Sequence, residues 1–142
     1  MSEPLVPHVS RTPGSADFFD AAAAGKLLLR KCNNCSAFRG PQDAICPQCH
    51  TSAHATEYAS GEATLVSWAV VHRSPLPELQ ASTPYVAGIV EVAEGPWLVV
   101  RVLTAPDETV HAGTALEIWV APGVDGGESL PMARTRPAQF SG

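Results

Sequence analysis

The segment KCNNCSAFRGPQDAICPQCH, residues 31–50, holds all four cysteines of a chain of 142 residues. They form two Cys-x2-Cys pairs with ten residues between them: Cys32, Cys35, Cys46 and Cys49. Two such knuckles can direct four thiolates at one tetrahedral metal ion. The spacing therefore predicts one metal site, with zinc as the expected ion and iron as the alternative, and a small ribbon module folded around it.

Four sulfur ligands leave no open position for water or substrate, so the predicted site is structural and not catalytic. No nucleophile remains among the cysteines, and the chain has no G-x-S-x-G or phosphate-loop motif. His72 is the best-placed histidine for a polar role, although a half-exposed residue at a strand end is the simpler explanation. We therefore predict no catalytic residue and no enzymatic activity of the chain alone.

The N-terminus lacks a signal-peptide pattern, and no apolar run approaches the roughly 18 residues that span a membrane. These features predict a cytoplasmic protein with no membrane partner. Cysteines stay reduced in that compartment, which favours a metal site over two disulfides.

Charge is distributed unevenly along the chain, whose net charge is −5. Residues 50–133 carry two arginines against ten acidic residues, a net charge of −8. Such a surface repels a polyanion, so we expect no nucleic-acid partner. Single-stranded nucleic-acid binding, a role of some zinc ribbons and OB barrels, is kept as the alternative function.

The first half of the chain reads as an arm and a small module. Residues 1–14 contain three prolines and no periodic pattern, which predicts a flexible arm. A short helix is predicted over SADFFDAAAAG, residues 15–25, and a strand over 26–31. The module of helix plus zinc ribbon is expected to span 15–60.

After Gly61 the pattern changes to β-strands, and residues 61–136 are expected to form a barrel. Five strands are predicted, at 62–73, 85–93, 97–103, 114–120 and 129–136. The proline-rich stretch 74–84 predicts a long loop, and 137–142 a tail. This count fits a five-stranded, partly open barrel of the OB type, with a core separate from that of the ribbon.

Two apolar surfaces of the predicted fold need cover. Phe18 and Phe19 pack either on the chain's own module or on a partner. In the barrel, the period of two leaves a second apolar side outside the core. This outer face comprises Tyr85, Ile89, Trp97 and Val99, with Arg101 at its edge and Trp119 beside them. A contiguous face of this kind indicates a partner interface or a ligand groove, unless the ribbon covers it.

A series of motifs in fixed order resembles the DUF35 family, the zinc-ribbon OB-fold proteins associated with acyl-CoA enzymes. The motifs are GKLLLRKC, CNNC, CPQC, VVHR, PYVAGIVEV and GPWLVVRV, within residues 16–134. The resemblance implies a rubredoxin-like ribbon followed by an OB barrel. It also implies a non-catalytic companion, in a hetero-oligomer, of a thiolase-like enzyme: a thiolase or aldolase of steroid side-chain or aromatic degradation, or a related acyltransferase.

The resemblance implies metal ligation by the four cysteines and help in holding acyl-CoA. The chain departs from the family pattern in a few places. Ser36 and His50 stand where ribbon knuckles often carry glycine, FRGP at 38–41 replaces the usual proline pair, and Met132 with Ala133 occupies a position that is commonly aromatic. No motif defines the residues that contact CoA. On charge alone, because phosphates bind cations, the candidates are Arg30, Lys31, Arg39 and Arg73.

Overall fold

A computed structural model of the chain describes residues 9–41, 43–73, 83–104, 109–123 and 126–135. Most of the predicted arm, most of the proline-rich loop, and the tail at 137–142 lie outside these residues. No helix in the described part of the chain is long and apolar enough to cross a membrane.

The predicted helix is present but shorter than expected. A 3-10 turn, Pro13–Ser15, leads into α1, Ala16–Ala23. The Ser15 side chain makes no capping bond to α1; it accepts a hydrogen bond from the Thr12 amide at 2.9 Å. Gly25, with φ +82°, ends the helix in the left-handed conformation that glycine adopts without strain.

The ribbon contains three antiparallel strands in the order β2-β1-β3. They are β1, Leu28–Cys32; β2, Phe38–Arg39; and β3, His54–Tyr58. Strand β3 was not predicted from the sequence. Four of its five residues are exposed, so it has no apolar alternation to reveal it, and it forms by backbone pairing with β1.

All five predicted barrel strands are confirmed. They are β4, Glu62–Val71; β5, Tyr85–Val92; β6, Trp97–Leu103; β7, Ala115–Ala121; and β8, Leu130–Thr135. They close in the order β4-β5-β6-β8-β7. The closure between β6 and β8 is narrow, because their parallel pairing includes only Val102 with Ala133 and Leu103 with Arg134.

The expectation of two separate cores is wrong. Leu27 and Leu29, from the ribbon side of the chain, are 3% and 0% exposed and belong to the same apolar cluster as the barrel interior. The buried barrel residues of this cluster are Ala63, Leu65, Val90, Val92, Val102, Leu116 and Ala133. A residue that belongs to the ribbon segment of the sequence can still pack in the barrel core, because core contacts depend on distance in space.

The same shared core answers the question of what covers the helix. Phe19 is buried and Phe18 is half-buried against the core cluster, with the two rings 5.1 Å apart edge to face. Helix α1 also contacts β8. The chain's own structure therefore covers both aromatic residues, and the barrel contributes to that cover.

Candidate metal centre and the exposed face of the barrel

The two cysteine pairs converge on one point, as the spacing predicted. All four sulfur atoms lie within 4.8 Å of one another. The Sγ atoms of Cys32 and Cys49 are 3.4 Å apart, and those of Cys35 and Cys46 are 3.5 Å apart. A disulfide requires about 2.05 Å, whereas a tetrahedral zinc ion with bonds of about 2.3 Å places its sulfur ligands about 3.8 Å apart. The donor set and its geometry therefore fit a tetrahedral metal ion.

Each knuckle repeats the same backbone arrangement. The Asn34 amide donates to the sulfur of Cys32, and the Gln48 amide donates to the sulfur of Cys46, each at 3.4 Å. Amide N–H groups directed at sulfur offset the negative charge of thiolates. The two-residue spacing within each Cys-x2-Cys pair is what brings these amides to face the site.

Ser36 and His50, the departures from the family pattern that lie in the knuckles, occupy equivalent positions in the two turns. The Ser36 amide donates to the carbonyl of Cys32 at 3.0 Å, and the His50 amide donates to that of Cys46 at 2.9 Å. Both residues have positive φ angles, 65° and 64°. This left-handed turn explains why glycine is frequent here, since residues with a Cβ atom adopt it at a cost. His50 itself is exposed and is not part of the four-sulfur cluster.

Thr51 is a component of the site that the sequence analysis missed. Its hydroxyl lies 2.7 Å from the sulfur of Cys49 and 3.4 Å from that of Cys32. By donating to sulfur it favours the thiolate form, so it lowers the pKa of Cys49 and, together with backbone amides, lowers the pKa of Cys32 to about 5. No spacing motif signals such a hydroxyl, and only its position two residues after the last ligand could have suggested it.

Cys35 has the opposite shift. The backbone amide of Ala37 lowers its pKa, but the neighbouring sulfur of Cys46, partial burial and the other two sulfurs outweigh that effect and raise the pKa to about 12. Crowded thiols do not all ionise without a cation. A bound metal ion would supply the positive charge that allows four thiolates to coexist.

Arg39 was a candidate for CoA binding, but its side chain lies inside the ribbon. It is 2% exposed, and its guanidinium donates to the carbonyls of Asp43 at 2.8 Å and Ser52 at 3.0 Å, with His54 Nδ1 at 3.2 Å. These bonds hold together the two backbone segments that flank the second knuckle. The charge of Arg39 is thus used inside the ribbon, and its guanidinium is shielded from the surface.

The other candidate cations are divided between the two modules. Arg30 is half-buried on β1 and donates to the Asp43 carbonyl at 3.2 Å, and Lys31 lies 3.5 Å from a carboxylate oxygen of Glu57. Arg73 is exposed just after β4, on the barrel. Arg30 and Lys31 therefore lie next to each other on the ribbon, and Arg73 lies on the other module.

The predicted outer face is present on β5 and β6, and the ribbon leaves two of its side chains, Trp97 and Val99, exposed. Ile89 is opposite Val99 in the strand register, and Glu91 is opposite Trp97. Trp97 is 59% exposed and Val99 is 78% exposed. The alternative explanation, that the ribbon covers this face, is therefore wrong for Trp97 and Val99.

Tyr85 and Arg101 extend the same face along the two strands. The Arg101 guanidinium lies 5.0 Å from the centre of the Tyr85 ring, and burial lowers the pKa of Arg101. A cleft of about 620 Å³ opens beside them, bounded by α1 and ribbon residues as well as by the barrel. Trp119 is not part of this face, since β7 pairs with β4 and β8 and its ring packs with Arg134.

Two family models match consecutive parts of the chain. The model described as the rubredoxin-like zinc ribbon domain of ChsH2 matches residues 19–55. The model described as the C-terminal OB-fold domain of ChsH2 matches residues 56–121. The two matches meet between residues 55 and 56. The domain boundary after residue 60 remains a prediction from the sequence.

The alignments with two relatives cover only part of the length of each relative. A "probable enoyl-CoA hydratase alpha subunit" of Thermomonospora curvata is 32% identical over 105 residues, which are 73% of this chain and 32% of the relative. A "DUF35 domain-containing scaffold protein" of Methanocaldococcus jannaschii is 30% identical over 92 residues, 64% of each chain. The chain thus spans about a third of the first relative and less than two thirds of the second.

Solved structures match more completely. A chain of the "Ltp2-ChsH2(DUF35) aldolase" is 28% identical with a TM-score of 0.73, and the match covers 92% of this chain and 98% of that one. A DUF35-family protein of unknown function from Sulfolobus solfataricus is 14% identical with a TM-score of 0.60, covering 87% and 86%. The second likeness shows the fold alone.

Proposed function

This chain belongs to the DUF35 family of ChsH2-type zinc-ribbon and OB-fold proteins, and from that premise we propose that it is a non-catalytic accessory subunit. Its role is to bind and stabilise a thiolase-like enzyme in a hetero-oligomer. The observation that carries the proposal is the exposed apolar face on β5 and β6, where Trp97 is 59% and Val99 78% exposed. Aromatic and aliphatic side chains in a contiguous exposed face are typical of a protein interface.

The descriptions of the relatives support a role as an accessory subunit. Two are described as scaffold proteins, and a structural match of 28% identity belongs to an aldolase complex. The hydratase-subunit description belongs to a relative of which the alignment covers 32%, so we do not extend that activity to this chain. We propose that the partner is a thiolase or retro-aldolase that acts on acyl-CoA, as in steroid side-chain or aromatic degradation.

The metal site has a structural role in this proposal. We propose zinc, held by Cys32, Cys35, Cys46 and Cys49, with the Thr51 hydroxyl in support. Four thiolates complete a tetrahedral site, so the bound ion would contribute folding free energy to the ribbon and no open position for a reactant. We propose a cytoplasmic location, and four cysteines that bind a metal ion agree with it because thiols stay reduced in that compartment.

The proposal also includes contacts between this chain and acyl-CoA. Arg30 and Lys31 on the ribbon, with Arg73 on the barrel, are the cations proposed for the CoA phosphates. The apolar cleft of about 620 Å³ beside Trp97 has room for part of an acyl chain or pantetheine arm. The complex, and not the isolated chain, is the species in which this contact should be measured.

The test is to co-express the chain with each thiolase-like protein of the same organism and to separate the products by size-exclusion chromatography. We expect one of these enzymes to co-elute with the chain and to be less soluble or less active without it. The isolated chain should show no thiolysis or aldol cleavage. Turnover by the isolated chain, or tight binding of single-stranded nucleic acid in its place, would contradict the proposal.

A further inference from the structure

Strand β4 continues well beyond its pairing with β7. On one side β4, Glu62–Val71, pairs with β5 to its last residue. On the other side its register with β7 ends at Thr64, after which the Leu65 amide donates to the Thr114 carbonyl and the Leu65 carbonyl accepts from the Gly113 amide. From residue 66 to 71, this second edge has no hydrogen-bonded partner among the residues that the structure describes. A shift in register between Leu65 and Ser67 marks the place where the two edges diverge.

The exposed edge has the chemistry that accepts another strand. Alternate residues of a strand direct their backbone N–H and C=O groups to opposite sides, so about half of those in 66–71 point to the open edge. Soluble proteins usually protect such an edge with charged residues or proline. The segment ATLVSWAVV, residues 63–71, contains neither. Trp68 is 41% exposed and Val70 48% exposed, so their face of the strand is also incompletely covered.

Charge argues against a second copy of this chain as the occupant. Self-pairing at β4 would bring together two barrels whose segments 50–133 each carry a net charge of −8. Like charges of this size oppose close association. A strand from a different chain, with apolar or basic side chains and no acidic ones, avoids this repulsion.

The edge is also continuous with the exposed face of β5 and β6. Ser67 is opposite Ile89, and Val71 is opposite Tyr85, so one side of β4 adjoins the proposed partner interface. A chain that docks on that face can reach the β4 edge without crossing the barrel. The edge would then extend the interface by backbone hydrogen bonds, which the apolar face alone does not provide.

We propose that a strand of the thiolase-like partner adds to the free edge of β4 between Val66 and Val71. In this mode of recognition, main-chain hydrogen bonds supply affinity, and alternate side chains supply specificity. The inference rests on the proposed function, because it names the contact by which that partner is held. It requires the partner strand to be extended and free of acidic residues at the contact.

Hydrogen exchange on the purified complex tests the backbone contact directly. We expect those amides of 66–71 that point to the open edge to become protected when the thiolase-like enzyme from the same organism is added to the full chain, while the amides already bonded to β5 should change little. Val70→Lys, which introduces the charge that natural edge strands use against pairing, should weaken the complex about tenfold, since two lost hydrogen bonds are sufficient for that change. Ala115→Lys, an exposed change on β7 opposite the part of β4 that is already paired, is the matched control and should bind normally.

The outcomes separate this inference from the function on which it rests. If the complex forms while residues 66–71 exchange as in the free chain and Val70→Lys binds normally, the strand contact is wrong and the accessory role stands. If the wild-type chain binds no thiolase-like enzyme, both are wrong. A concentration-dependent homodimer of wild type that Val70→Lys abolishes would overturn the choice of occupant. Melting temperatures of both variants, expected to be close to that of wild type, show that each is folded.

Discussion

Replacing Cys46 with serine should destabilise the barrel as well as the ribbon. The substitution removes one of four ligands, and metal affinity is part of the folding free energy of a ribbon of this size. When the ribbon unfolds, Leu27 and Leu29 leave the apolar cluster that they share with the barrel interior. The effect of the lost metal is therefore expected to reach residues that make no contact with it.

The two leucines set the size of the expected change. They are 3% and 0% exposed, so both are almost fully withdrawn from water. Returning two such side chains to water costs roughly 3–6 kcal/mol. A single domain is stable by about 5–15 kcal/mol, so the barrel should lose a large fraction of its stability.

Tryptophan fluorescence is a suitable assay because all three tryptophans lie in barrel strands. Trp68 is in β4, Trp97 in β6 and Trp119 in β7, and the ribbon has none. Urea unfolding followed by this signal should show a much lower midpoint for Cys46→Ser than for wild type. A metal chelator should lower the midpoint of wild type and leave that of Cys46→Ser unchanged.

A second variant separates packing from metal binding. Leu29→Ala should keep the metal and still destabilise the barrel by about 2–5 kcal/mol, the usual cost of removing a buried leucine. If the fluorescence transitions of Cys46→Ser and wild type coincide, the ribbon and barrel are independent and the reasoning from a shared core is refuted.

Three further outcomes can be checked on single substitutions. Trp97→Ala should weaken association with the partner enzyme by about 2 kcal/mol or more with little change in melting temperature, since the side chain is 59% exposed; a large fall in melting temperature with unchanged affinity would contradict this. Ser36→Gly and His50→Gly should each stabilise the ribbon by roughly 0.5–1 kcal/mol, because their φ angles of 65° and 64° favour glycine, and chelator resistance measures this. The Arg11 guanidinium holds the pKa of Glu128 below its ordinary value, so this pair stabilises the fold above that ordinary value and stops doing so as pH falls through the folded pKa; a wild-type advantage over Glu128→Gln that persists in strong acid would refute it.

Features that depend on neighbours along the chain could be predicted from the amino-acid sequence. Two Cys-x2-Cys pairs predict a four-sulfur site because each pair forms its own local turn. The five barrel strands were predicted because runs of β-branched, aromatic and other apolar residues bounded by glycine and proline favour strands. The exposed face containing Trp97 and Val99 followed from the period of two in a strand, which showed that apolar residues occupy both sides of β5 and β6. In each case the pattern of residues and the structure that it predicts both involve only a few neighbouring residues.

Features that depend on contacts between distant segments could not be predicted in this way and are visible only in the folded chain. Strand β3 forms on the backbone of β1, and backbone pairing has no side-chain signature. Arg39 looked like a free cation, but its partners are carbonyls brought together by the ribbon fold. Leu29 is in the ribbon by sequence and in the barrel core by packing. The pairing of β4 with β7 ends at Thr64, which leaves the second edge of β4 without a strand partner in the described part of the chain. Periodicity shows which side of a strand is apolar; what lies against that side, or beside its edge, is settled only when the whole chain has packed.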